Sequence, residues 1–485
     1  MEVIKSNKGG NKICWRGYTY IMKHQGRKRL TWRCKKESSL KCRGTMYTDL
    51  NIGHPQIGKV HSHIADKHEV NAIKCTYKMK EAAKRTKTNP AEIYAENVKN
   101  LDPQSQARIP PEPIMKRTIR NQRKTEHPAS GTSIEGEWCT TGNPDNKRLL
   151  LVDDGDENRL VIFATDEGLQ NLSKSNEWYM DGNFALSPKG FMQLYVIRVQ
   201  INGIFVTAVY CLLTKKTQST YERMLNCLME KCAEKNIFLD PMYIHVDFEK
   251  AVINAIKIVI GEHVEVNGCF YHLTQATHRH IQKMGLTNEY KSDEEFSAFC
   301  RQLDALAFLP LCDVAEGMVY LKSIMPEKGS AILEYFDNTY VTGTFRRINS
   351  TQDNCIRLRN CPPLFPPHVW NVHNITLNDG DRTNNETEGW NHRFSKIVGH
   401  CHPSIWVLIT KIRLEVANDE TKLAQNAFGT LPRKKKSKIY AELQNKLKNI
   451  CNEYSRGERD IPNFLKAIAY TIRYLWFLKT IIIYL

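Results

Sequence analysis

The 485-residue sequence has no run of about 18 apolar residues, the length that a helix needs to cross a bilayer. Its nearest approach, IRYLWFLKTIIIYL at the C-terminus, covers 14 residues and contains Arg473 and Lys479, so a docking helix or strand is expected there rather than a membrane anchor. No secretory leader is expected either, because MEVIKSNKGGNKICW has no apolar core and does not resemble one. The fifteen scattered cysteines are therefore expected to be reduced and intracellular. No internal repeat is present, which excludes a solenoid or propeller. A disordered tail is excluded by the 41% hydrophobic content, enough to build two to four domains.

Acid excess is missing too, and the basic excess is localised. Residues 1–128 hold 28 Lys and Arg against 11 Asp and Glu, a net charge of +17, whereas residues 129–485 hold 41 of each. A basic module joined to a neutral body suits a polyanion-binding domain attached to something that does other work. The plainer alternative is a solvated basic surface that aids solubility.

Residues 13–63 read as short strands around turns: CWRGYTYIMK, a turn at Gly26, RLTWRCK and RGTMYTDL. Residues 69–100 have helical periodicity, with Asn89 placed to cap the helix that begins at Pro90. Linker signals then concentrate in 101–145, including LDPQSQARIPPEPIM and the basic KRTIRNQRK. From about 147 to 270 the apolar runs RLLLV, RLVIFAT, EWYMDGNF, FMQLYVIRVQ and IFVTAVYCLL read as strands that include a three-run meander. The helix STYERMLNCLMEKCAEKN, the strand PMYIHVDF, the helix EKAVINAIKIVI and the strand HVEVNGCF follow, predicting a mixed α/β sheet covered by helices. Beyond 271 the chain reads as mainly helical, apart from the Pro-rich loop NCPPLFPPHVW.

A β unit this small rarely has enough core to fold alone, so a staple is expected. Cys34, Cys42, His61 and His63 supply two thiolates and two imidazoles, a set that closes a tetrahedral Zn²⁺ site. The spacing is not that of the ββα finger, and Cys14, His54 and His68 are nearby competitors. GYTYIMKHQGRKRLTWRCKKESSLKCRGTMYTD followed by VHSH resembles a FLYWCH zinc finger, with Gly17, Tyr18, Tyr20, Trp32, Cys34, Cys42, Thr48, His61 and His63 in its pattern. The resemblance implies structural zinc and binding of DNA or of other proteins. Lys and Arg at 27–29, 33, 35, 36, 41 and 43 lie among the aromatics, giving phosphate contacts beside ring faces.

In the body, Asp181 of WYMDGNF and Asp247 of HVDFEKA each end an apolar strand, and a turn is expected at Gly182-Asn183. One such acid is more often a helix cap. Two in one sheet could converge at its carboxyl edge, where a divalent cation would neutralise them. A third acid is expected in GDRTNNETEGWNHRFSK. There Glu388 is favoured over Glu386 because it shares a helical face with Asn385 and His392.

DGNF with FMQLY, HVDFEKA, GCFYHLTQATHRHIQKMGL and RTNNETEGWNHRF together resemble the Mutator-like element (MULE) transposase domain. That resemblance implies an RNase H-like α/β core and an Asp-Asp-Glu triad of Asp181, Asp247 and Glu388 holding Mg²⁺ or Mn²⁺. Cys269 and His272 match the family's Cys-x-x-His. Asn183 replaces a frequent Thr, and the CxCxxH zinc motif of plant relatives is not visible.

The expected fold class is α+β multidomain. Residues 1–68 form a zinc finger, 69–145 a basic helical segment and linker, and 146–283 the first part of the core. Residues 284–380 form a helical insertion, and 381–485 complete the core and add C-terminal helices. The function implied is metal-dependent DNA strand cleavage and transfer, in the nucleus and as a homo-oligomer acting on transposon ends and target DNA. The alternative is a domesticated, catalytically silent DNA-binding regulator. KRTIRNQRK and LPRKKKSK would serve as import signals or DNA-backbone contacts.

Overall fold

The computed structural model describes all residues except 6–9, 87, 124–127, 129–132, 156, 349–356, 431–437 and 485. The basic run LPRKKKSK, apart from Lys438, therefore lies outside the described residues. The chain divides into two units, residues 1–128 and 129–485, at the point where the excess positive charge ends.

In the first unit, alternating apolar and polar residues give six short strands: β1 (Glu2–Lys5), β2 (Asn11–Trp15), β3 (Tyr18–Gln25), β4 (Leu30–Cys34), β5 (Thr45–Thr48) and β6 (Gln56–Ile57). Each pairs antiparallel with the next. Ile13, Tyr20, Leu30, Trp32 and Met46 make the core, and the Trp32 indole N–H donates to Thr48 Oγ1 at 2.9 Å. Full burial of side chains of this kind contributes roughly 1.5–3 kcal/mol each, and Ile4 and Cys14 add a second patch of contact with Val70 of the helix that follows.

Three helices follow. Lys67–Arg85 is capped by Asp66, Pro90–Val98 is capped by Asn89, and Glu112–Gln122 follows a short turn of helix. Their facing stripes, Ala72, Cys75, Met79 and Ala83 against Ile93, Met115 and Ile119, close over a shared core.

The second unit is built on a seven-stranded sheet. Its strands are β7 (Leu150–Asp153), β8 (Val161–Phe163), β9 (Glu177–Asn183), β10 (Gln193–Ile201), β11 (Ile204–Leu213), β12 (Tyr243–Val246) and β13 (Glu265–Gly268), in the order β13-β12-β9-β10-β11-β8-β7. β9, β10 and β11 form an antiparallel meander, and Asn202-Gly203 at positive φ makes the tight turn between the last two. β12 then runs parallel to β9, and β13 parallel to β12.

Strand periodicity decides what each face carries. Trp178 and Met180 of β9 join Ile244 and Val246 of β12 in a core roofed by helices Gln218–Ala233 and Lys250–Val259. Tyr179, Asp181 and His245 take the other face, where Tyr179 stacks on His245 at 4.5 Å. On the same sheet, Leu194, Val196, Tyr210 and Leu212 pack against helices Asn385–Val398 and Ile405–Ala427.

The molecule is thus mixed α/β, with a small β-rich N-terminal sheet and a helix-rich remainder. Beyond 271 it is helical as expected, except that β14 (Thr344–Ile348) and β15 (Arg357–Cys361) pair as an antiparallel ladder. The expected turn at Gly182-Asn183 is instead strand, because β9 continues through Asn183 paired with Leu194. The C-terminal segment is the helix Ile461–Tyr484, and no helix among the described residues is long and apolar enough to cross a membrane.

Candidate metal centres

β4 ends on Cys34, a four-residue helix and loop lead to Cys42, and His61 and His63 follow β6. One ligand atom from each of these four lies within 4.8 Å of the others. Cys34 Sγ faces His63 Nε2 at 3.3 Å, and Cys42 Sγ faces His61 Nδ1 at 3.4 Å. The opposite ring nitrogens are also held: His61 Nε2 meets the Tyr20 hydroxyl at 2.8 Å, and His63 Nδ1 meets the Ile64 carbonyl at 3.0 Å. Such outer partners fix ring orientation and tautomer for a metal ligand.

The Lys36 and Gly44 amides each donate to a thiol sulfur at 3.4 Å, as thiolates require. Gly44 has to be glycine, since a Cβ there would overlap the His61 ring. Tyr18 stacks on His61 at 3.7 Å. Burial holds the His61 imidazole below its ordinary range, the neutral form that a metal needs. Two sulfurs and two nitrogens fit Zn²⁺. The competitors lie elsewhere: Cys14 is buried beside Ile4 and Val70, His68 pairs with Asp102 at 2.9 Å, and His54 is an exposed turn residue.

In the second unit, Asp181 lies near the end of β9 and Asp247 just beyond β12, its parallel neighbour. Asp181 is 8% exposed, and its oxygens accept from the Gly182 amide at 2.7 Å and from Asn391 Nδ2 at 2.6 Å. Burial, reinforced by the Asp247 charge, pushes its carboxyl up to about 7. A carboxylate costly in this way beside a second acid is the environment that a divalent cation relieves, and oxygen donors suit Mg²⁺ or Mn²⁺.

Glu388 lies on the helix Asn385–Val398, one turn before Asn391, so the residue that grips Asp181 also fixes the helix carrying Glu388. Asn391 in turn accepts from Asn183 at 3.2 Å. The helix is anchored from behind, where Arg198 donates to the Glu386 carbonyl at 2.8 Å and Trp390 to Glu415 at 2.8 Å. Trp390 is buried against Phe394, which removes it from any role in base stacking.

His272 stands between the other two acids. Its Nδ1 is 2.8 Å from Asp247 Oδ1, close but not aligned as a hydrogen bond, and its Nε2 is 4.0 Å from Glu388 Oε1. Burial alone would lower its pKa, but Asp247 and Cys269 push it up to about 11. Cys269 fastens the segment before the Glu388 helix: its thiol accepts the Asn384 amide at 3.3 Å, while its own amide donates to Val246 at 3.1 Å.

The set gathered within 4.8 Å is Cys269, His272 and Glu388, and among the described residues the three acids do not form such a group by themselves. Gly182 has a packing reason for its identity, since a Cβ there would overlap Gln193 Oε1. Beside it runs a relay that leads outward from the buried Gln193: Gln193 donates to Tyr221 at 2.8 Å, Tyr221 donates to Glu249 at 2.9 Å, and Lys216 pairs with Glu249 at 2.8 Å.

Spacing had pointed to Asn385 and His392 as companions of Glu388, yet Asn391 is the residue that reaches Asp181. Its position, three residues after Glu388, was the available signal.

A thiol–imidazole cluster in the first unit and acids near the carboxyl ends of parallel strands in the second are the geometry against which the matches to known families stand, and those matches support a transposase-related DNA-binding protein. Residues 3–64 match the FLYWCH zinc finger domain, and residues 177–276 match the MULE transposase domain. No curated protein matches the chain.

Proposed function

We propose that the chain is a Mutator-like DDE transposase in which residues 1–68 bind DNA through a zinc-stapled finger and the second unit cuts and joins DNA strands. The observation that carries the reading is the pair of acids, Asp181 and Asp247, at the carboxyl ends of adjacent parallel strands, with Glu388 on a helix hydrogen-bonded to the first. The order of β11, β10, β9, β12 and β13, three antiparallel strands followed by two parallel ones, supports an RNase H-like core. In that reading residues 146–283 and 381–485 make the core, 284–380 are an insertion, and 69–145 link it to the finger. The assignment also implies a nuclear location and a homo-oligomer on paired transposon ends.

Zinc at Cys34, Cys42, His61 and His63 would be structural. Bound at Asp181, Asp247 and Glu388, Mg²⁺ or Mn²⁺ would supply Lewis-acid activation of water or a DNA 3′-hydroxyl and neutralise the leaving oxygen. The chain's own part is positioning. Asn391 and the Gly182 amide hold Asp181, the Cys269 thiol holds the approach to Glu388, and His272 lies between Asp247 and Glu388.

A second reading, a catalytically silent DNA-binding regulator, is favoured by one observation: His272 lies between two of the three acids, which form no common ligand group. Strand cleavage and joining on DNA carrying the cognate terminal repeats, with Mg²⁺ or Mn²⁺, separates the two. The transposase reading expects activity in wild type and losses of about 10³-fold or more in Asp181→Asn and Glu388→Gln. DNA binding without metal-dependent chemistry would favour the regulator, and equal activity in all three proteins would remove the triad.

A further inference from the structure

The helix Glu112–Gln122 has a role in neither metal centre, and its two faces differ in kind. Met115 and Ile119, one turn apart, are buried in the three-helix core of the first unit. Arg123, just past its end, is tied down, donating through Nε to the Ala83 carbonyl at 3.2 Å and through Nη2 to Thr88 at 2.6 Å. The helix is therefore fixed in rotation about its own axis.

At 100° per residue, Arg117 falls opposite the Met115–Ile119 stripe, flanked by Pro113, Ile114, Arg120 and Asn121. All five are exposed. Glu112, the one acid on the helix, pairs with Lys116 at its edge, and among the described residues neither Arg117 nor Arg120 enters an ion pair.

A solvated surface helix ordinarily mixes charge signs along its outer face. This face has two guanidinium groups, a carboxamide and no acid, the donor sets that read guanine O6 and N7 and adenine N6 and N7 in the major groove. Its 11 residues span about 16 Å, and the groove is roughly 12 Å wide, enough to admit a helix. A three-helix unit that buries one side of its last helix and presents the other is a recurrent way to deliver such side chains. The net charge of +17 on residues 1–128 draws in the duplex whatever its sequence.

We propose that Glu112–Gln122 is a base-reading helix for duplex DNA, so that the first unit has a second DNA-recognition element independent of the zinc cluster. The proposal rests on the DNA-binding part of the functional reading but not on the acid site. The partner is B-form DNA, because the deep, narrow major groove of duplex RNA does not admit the helix.

The test uses the full chain with zinc and without Mg²⁺, against a pool of duplexes with a randomised core. Wild type should enrich a motif, and Glu388→Gln should enrich the same one with equal affinity. Arg117→Ala, Arg120→Ala and Asn121→Ala should each relax preference at one or two positions and weaken binding to the enriched duplex about 10- to 100-fold. Arg117→Lys should keep the affinity for random duplex and its salt dependence yet lose the preference. Unchanged circular dichroism and melting would separate these losses from misfolding.

The proposal is overturned if the alanine variants enrich the wild-type motif with wild-type affinity, or if duplex RNA competes as well as DNA. Failure of wild type to bind any duplex would remove the DNA-binding reading along with it. A motif that responds to Cys34→Ser but not to the helix variants would remove this proposal alone.

Discussion

The thiol–imidazole cluster of the first unit and the acid site of the second both gather reactive side chains, by opposite means. Cys34, Cys42, His61 and His63 come from 30 residues of chain, soft donors already within reach of one another, with Tyr20 and Ile64 holding the far ring nitrogens. Asp181, Asp247 and Glu388 come from two strand ends and a distant helix, hard donors whose like charges resist assembly. In the first case the four side chains are soft, close together and already faced by outer partners, beside a small apolar core. In the second the sheet is complete without the acids, and its stability is spent on keeping them near each other. A closed, soft set is what structural metal needs, and an open, hard set is what chemistry on phosphate needs.

That contrast breaks most visibly on removing one ligand from each side. Cys34→Ser should release zinc and unfold residues 1–68, since structural zinc contributes about 10 kcal/mol or more to folding. Zinc content by atomic emission and protease sensitivity of that segment check it, and the second unit should keep its melting transition. Retained zinc would mean the four donors are not the ligand set.

A buried acid outside the site shows how much of the Asp181 effect is burial alone. Asp304, fully buried in the helical part, is pushed up to about 7 by desolvation, against the opposing pull of a Thr277 hydrogen bond at 3.0 Å and the nearby Arg301 charge. Its folded pKa lies above the unfolded value near 3.9, so its contribution is intact below about pH 4 and is lost as pH rises through 7. Asp304→Asn should match wild type at pH 4 and exceed it at pH 8 by up to roughly 4 kcal/mol in urea denaturation. Mg²⁺ should not alter that difference.

Asp181 should behave otherwise. At pH 8, Mg²⁺ a hundredfold above its dissociation constant should stabilise wild type by about 3 kcal/mol, and Asp181→Asn should lose most of that gain. Scanning calorimetry with and without Mg²⁺ reads it. Equal gains in both proteins would show that the cation binds elsewhere.

What the sequence disclosed follows from the same contrast. That Cys34, Cys42, His61 and His63 cluster was anticipated through the resemblance to the FLYWCH finger, since spacing alone left Cys14, His54 and His68 as competitors. The meander and the two parallel strands were readable because period-2 alternation and crossover helices are local patterns. The ladder of β14 and β15 was not, since TFRRI and RLRNC carry too much charge to resemble a half-buried strand. Gly182 looked like a turn residue, and its true constraint is Gln193 on the next strand. The hydrogen bond from Asn391 to Asp181 joins positions 210 residues apart, and the ion pair of His272 with Asp247 exists only once β12 and helix Phe270–Lys283 are in place. Long-range partners of this kind have no signature in spacing.

The smallest effect is the sharpest probe of the closed site. Tyr20→Phe removes one hydroxyl, leaving all four zinc donors, the ring and its contacts with Tyr18 in place. Without its partner at 2.8 Å, His61 Nε2 must turn to water, and the tautomer that presents Nδ1 toward Cys42 is less strongly enforced. Loss of an outer partner typically weakens metal affinity 10- to 100-fold, so zinc should transfer to a competing chelator at about 10-fold lower chelator concentration. The finger should still fold when zinc is in excess. Wild-type affinity would show that the hydroxyl only fills space beside the cluster, and loss of folding even with excess zinc would show that Tyr20 acts through the core it shares with Trp32 and Met46.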